Sequence, residues 1–124
     1  MPHHASYADV AHSFIHFTQG SFSADQRELV VAAVVLAGQS LALSDDWTSF
    51  QPARFFSRLA EVPVLRIEVA MYLMGFFGWL GLAGRISNQA SIDLMDRTRH
   101  AAPPSPLLAA LLQRALPYLT SAAA

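Results

Sequence analysis

Cysteine is absent from this chain, and so is lysine. The first absence excludes disulfides, thiolate metal sites and cysteine nucleophiles in one step. The second excludes a P-loop lysine. Charge is scarce as well: eight arginines face nine acids in 124 residues, so 14% of the side chains are charged, against about 25% in an ordinary soluble domain. Near balance without a basic run argues against nucleic acid as a partner. Apolar residues make up 53% of the chain, and so few charges cannot cover its surface. Some apolar surface is therefore expected to be hidden by a protein partner, by a second copy or by lipid.

Long hydrophobic runs are limited too. The longest charge-free one, Val69 to Gly84, would extend about 24 Å as a helix, short of the ~30 Å hydrocarbon core. Extending it backwards brings in Arg66 and Glu68, and the shorter run from Leu29 to Leu43 contains Gln39 and Ser40. Both runs read better as buried core helices than as membrane spans, with membrane association kept as an alternative. Met1-Pro2-His3-His4 lacks the basic and apolar regions of a signal peptide, so a cytoplasmic location is expected.

What is present is helical periodicity. Ser6 can cap a first helix from Tyr7 to about Thr18, closed by Gly20, with Tyr7, Val10, Ala11 and Phe14 on one face. Ser23-Ala-Asp-Gln-Arg-Glu offers a cap with acids in the first turn of a second helix, about 24–43. Because Leu29 to Gly38 is apolar on every side, this helix is expected at the centre of the fold. Ser44 to Thr48 reads as a loop, and Pro52 opens a third helix to Glu61 with Phe55, Phe56 and Leu59 inside. Pro63 ends that helix or begins the next, which carries Leu65, Val69, Tyr72 and Leu73 onward. Ser87 or Asn88 caps another helix through about His100. After the stiff Ala101-Ala-Pro-Pro-Ser-Pro break, Leu107, Leu108, Leu111, Leu112 and Leu116 repeat at helical spacing, opposite Gln113 and Arg114. The chain thus reads as one all-α domain over 1–124, a compact bundle of five or six helices, with 1–5 and 120–124 frayed.

Glycine recurs every third residue at Gly75, Gly78, Gly81 and Gly84. Each interior glycine costs a helix roughly 1 kcal/mol relative to alanine. A three-residue step sweeps around the helix, so a straight GxxxG seam is not expected. Two readings remain open. In one, the helix ends near Gly75 or Gly78, a turn follows and a short new helix begins. In the other, the glycines bare the backbone beside Tyr72, Phe76, Phe77, Trp79 and Leu80, making an apolar patch for a partner helix or a second copy.

Reactive constellations are thin. Asp9, His12 and His16 share a helix face, and Asp93, Asp96 and His100 repeat that spacing; together they could supply metal ligands, but solvated polar faces explain them as well. Glu61, Arg66 and Glu68 read as structural ion pairs. No P-loop and no GxSxG elbow occurs, so no nucleophile, base pair or cofactor signature is visible. Ser23-Ala-Asp-Gln-Arg-Glu-Leu-Val-Val resembles the helix-opening phrase of carboxymuconolactone decarboxylase-like helical proteins, over less than a tenth of the chain. The redox members of that group depend on a Cys-x-x-Cys, which this chain lacks, so the resemblance carries no activity and assigns no family.

The expectation is a small non-catalytic helical interaction protein, a subunit, adaptor or inhibitor, acting on a protein partner or on its own twin through Tyr72, Gly75, Phe76, Phe77, Gly78, Trp79 and Leu80. No cofactor is expected. The alternatives are a carrier whose pocket, lined by Tyr72, Met74, Phe77 and Trp79, holds an apolar molecule or lipid, and a membrane-associated helical subunit.

Overall fold

Ser6 starts the first helix as its residue type suggests, its hydroxyl accepting from the Asp9 amide at 3.1 Å. In the computed structural model, which describes residues 6–59 and 63–101, this helix is α1, Tyr7–Phe17. The chain then passes through left-handed backbone at Gln19 and Gly20 and enters α2, Ala24–Gln39, by a full capping box. The Ser23 hydroxyl accepts from the Gln26 amide, and the Gln26 side chain accepts from the Ser23 amide at 2.8 Å. A 3-10 turn at Trp47–Ser49 leads to α3, Pro52–Arg58, opened by Pro52 in its first turn. Two longer helices follow: α4, Pro63–Leu82, and α5, Asn88–Ala101. The described residues are all helix and connecting turn, packed as a small bundle.

The glycine segment does not break at Gly75 or Gly78. Instead α4 runs unbroken through Gly75, Gly78 and Gly81, and the chain turns only at Gly84, whose φ of 73° is left-handed. There the Arg85 amide donates to Leu80 O at 2.9 Å and the Gly84 amide to Gly81 O at 3.1 Å, the paired bonds of a Schellman end. The loss of helix propensity is offset by packing. A Cβ on Gly81 would stand 2.6 Å from the Ser91 Cβ, so only glycine lets α5 come this close. Ser91, itself buried, donates its hydroxyl to Phe77 O at 2.8 Å across the same crossing.

The core is largely aromatic. Phe50, Phe76 and Phe77 are fully buried, and Trp47, from the segment expected to be a plain loop, stands with its ring edge-on to Phe76 at 4.9 Å. Tyr7 holds that segment in place: its ring meets Trp47 at 5.5 Å, lies where a Cβ on Gly38 would otherwise sit, and its hydroxyl accepts from the Asp45 amide at 3.2 Å.

The second helix stops at Gln39, not near Leu43. The Ser40 hydroxyl donates to Ala37 O at 2.7 Å, and Ser49 clamps Leu43 through both its amide and its carbonyl. Nor is α2 surrounded. It buries Val30, Ala33, Val34, Ala37 and Gly38, while Leu36 is 48% exposed. The helix with neighbours on most sides is α4, which packs on α1, α2 and α5. The third helix ends at Arg58, with Leu59 already in extended backbone, and not at Glu61. The leucine repeat 107–116 and the frayed ends 1–5 and 120–124 lie outside the described residues.

The crossing makes a testable sign reversal. Gly81→Ala, which in an open helix would stabilise by about 1 kcal/mol, is expected to destabilise here by about 1–3 kcal/mol. Adding Ser91→Gly should recover part of that loss and Ser91→Ala should not, because only the former removes the opposing Cβ. Urea unfolding midpoints of the four proteins check it.

Candidate functional site

On a helix with 3.6 residues per turn, the faces of α4 that meet α5 and the aromatic core leave one further stripe: Met71, Tyr72, Gly75, Trp79 and Leu82. That stripe forms a wall of an open groove of about 2110 Å³, completed by α1, the turn after it and the outward side of α2. From α1 come Ile15 and Phe17, and from α2 come Val31, Val35 and Leu36. Of the five large hydrophobic residues most exposed among the described ones, Phe17, Leu36 and Leu82 all line this groove. Leu43 and Ile92, the two most exposed of the five, lie elsewhere.

Its floor is rigid. Phe14 contacts Phe22, Phe76 and Trp79 with ring centroids 5.7 to 6.0 Å apart, and Phe22 meets Tyr72 edge-on at 5.6 Å. The Arg85 guanidinium stacks 5.3 Å from the centroid of the Trp79 ring. Polar side chains, His12, His16, Gln26, Arg27 and Glu28, occur among the lining and are exposed. The arrangement offers apolar burial with a polar margin.

The sequence-derived patch is split by this geometry. Tyr72, Gly75 and Trp79 line the groove, whereas Phe76, Phe77 and Leu80 are fully buried and face the core. Gly78 is half-buried outside the groove lining. Consecutive residues step around a helix by 100°, so a run of neighbours cannot form one surface. Met74 and Phe77, expected in a ligand pocket with Tyr72 and Trp79, are buried and lie outside the lining. Leu36, Val31, Val35 and Phe17 were missed. Their signal was the all-round apolarity of Leu29 to Gly38, which reflects a helix with the core on one side and a groove on the other.

The histidine sets do not converge. Asp9, His12 and His16 are exposed on α1; Asp93, Asp96 and His100 are exposed on α5, and α1 packs mainly on α2 whereas α5 packs mainly on α4 and α3. Asp96 is engaged locally, with Arg99 at 2.9 Å and the His100 Nδ1 at 3.6 Å from its carboxylate. No group of three metal-ligating side chains occurs among the described residues.

One groove residue has a displaced proton affinity. Burial, followed by the charge of Glu68, pushes the Tyr72 phenol above its ordinary 10.0, with a hydrogen bond to Gln26 acting in the opposite sense. A raised native value means that the folded state holds the proton longer than the unfolded chain. The stability contributed by the neutral phenol is therefore whole below the unfolded value and lost as pH rises through the native one. As pH rises above 10.0, the wild type should lose more stability than Tyr72→Phe, as read from urea midpoints.

Compared with known proteins, the chain matches no family model, no curated sequence and no solved structure.

Proposed function

We propose that this protein binds an amphipathic helix of a protein partner in the groove between α1, α2 and α4. The observation that carries the reading is the size and lining of the groove. Its volume of about 2110 Å³ exceeds the roughly 300–1,000 Å³ typical of sites for drug-sized molecules. A helix about 10 Å wide rising 1.5 Å per residue would fill it with on the order of 15 residues. Open shape and aliphatic walls suit a helix laid in lengthwise, with side chains at i, i+3, i+4 and i+7 as anchors.

Leu36, Leu82 and Phe17 would supply exposed contact area over a floor to which the largely buried Trp79 belongs. Among the described residues no helix is long and apolar enough to cross a membrane.

The test is a fluorescein-labelled 15-residue amphipathic peptide, leucine on one face and glutamine on the other, titrated by anisotropy. Saturable binding is expected, weakened at least about tenfold, or 1.4 kcal/mol, by Leu36→Asp. Leu36 is half-exposed, so the thermal midpoint should stay within a few degrees of wild type. Binding that ignores Leu36→Asp, or no binding by any variant, defeats the reading.

A further inference from the structure

The groove does not stop at Leu36. That side chain also edges a smaller hollow of about 310 Å³, completed by Gln39 and Ser40 at the end of α2 and by Arg54, Phe55 and Arg58 of α3. One stripe of α2 runs through both spaces: Ala24, Glu28, Val31 and Val35 line the groove, and Gln39, four residues on, lines the hollow. From Ala24 to Gln39 the stripe is about 22 Å long, the length of a 15-residue helix. A helix laid along it comes to its end beside Arg54 and Arg58.

The charges at this end are of one sign. Among the described residues no aspartate or glutamate lines the hollow, whereas both arginines are exposed and stand four residues apart on one face of a seven-residue helix. Like charges at that spacing repel and weaken the helix that carries them. Neither guanidinium has a carboxylate within ion-pair distance among the described residues, in contrast to Arg99, 2.9 Å from Asp96. At the opposite end of the groove Arg27 and Glu28 balance each other. A chain with a net charge of -1 thus presents two uncompensated positive charges where its apolar wall stops.

We infer that the partner helix is acidic at the end of its apolar face that passes Leu36, with carboxylates that meet Arg54 and Arg58. This rests on the helix-binding reading of the groove and adds the partner's charge. Apolar contact along Val31, Val35 and Leu36 supplies affinity, and the arginine pair supplies selection, since a helix with lysine at that end meets like charge. Arginine suits the role because its planar fork takes both oxygens of one carboxylate. Both guanidinium groups stay hydrated until a partner arrives, so the pairing adds only modestly to affinity.

The leucine and glutamine peptide is the reference for the test. Glutamates replace two glutamines of its first turn in one derivative and of its last turn in another, because either direction along the groove brings one of these ends to Arg54 and Arg58. Lysines replace the same residues in a matched pair. At about 50 mM salt one glutamate peptide should bind about fivefold tighter than the reference, and its lysine counterpart more weakly. The gain should vanish in Arg54→Gln/Arg58→Gln protein and persist in Arg97→Gln/Arg99→Gln, which removes the same charge from α5, outside both the groove and the hollow. Since Arg54 and Arg58 are exposed, the reference peptide should bind wild type and both variants alike.

Equal affinity for glutamate and lysine peptides, or a glutamate gain that survives Arg54→Gln/Arg58→Gln, overturns the inference. If the reference peptide still depends on Leu36 in that case, helix binding stands and the arginines do not select. If no peptide binds, both readings fall.

Discussion

The architecture depends on how closely α4 and α5 approach at Gly81. A serine hydroxyl reaching a backbone carbonyl across two helices, Ser91 to Phe77 O at 2.8 Å, requires main chains nearer than ordinary side chains allow. Fixing that contact fixes the rotation of α4 about its own axis. Phe76 and Leu80 are then turned into the core, where Phe76 meets Phe14 and Trp47, and Met71, Gly75 and Leu82 are turned to the remaining side. The groove is what is left once the crossing and the core have claimed their faces.

Much of the fold was legible in the sequence because it is set locally. Ser6, Ser23 and Pro52 mark helix starts through hydrogen bonds and ring geometry within a few residues of themselves, and those helices begin where expected. What was illegible depends on distant partners. Nothing local to Gly81 says that the helix continues through it, since its partner, Ser91, lies on the next helix. Likewise, Trp47 follows two aspartates in a polar stretch, yet Tyr7, Phe76 and Phe77 draw it inward. The apolar girth of α2 was read correctly as composition and misplaced as position, because periodicity does not say whether an apolar face meets protein or an open groove.

Of the surface expected on α4, the structure places three residues on the groove lining and three behind it. Tyr72, Gly75 and Trp79 lie on the groove; Phe76, Phe77 and Leu80 form the structure behind it. The separation is physically useful. Buried rings in mutual contact hold the floor in shape, and the aliphatic side chains of Leu36 and Leu82 line the opening and can adjust to what enters. A floor formed before binding spares an incoming helix the ordering of its receptor.

The two ends of the chain assemble over very different sequence distances. Ser91 and Phe77 are 14 residues apart, and α1 joins α2 through a short turn, so each helical hairpin closes a small loop. The contact of Phe14 with Phe76, in contrast, joins positions about sixty residues apart. Loop-closure entropy therefore favours two early hairpins that dock later, and the groove lies on the seam between them, with α1 and α2 on one bank and α4 on the other. Contacts made last are those that unfolding breaks first, so the banks of the groove govern how slowly the fold comes apart more than how fast it forms.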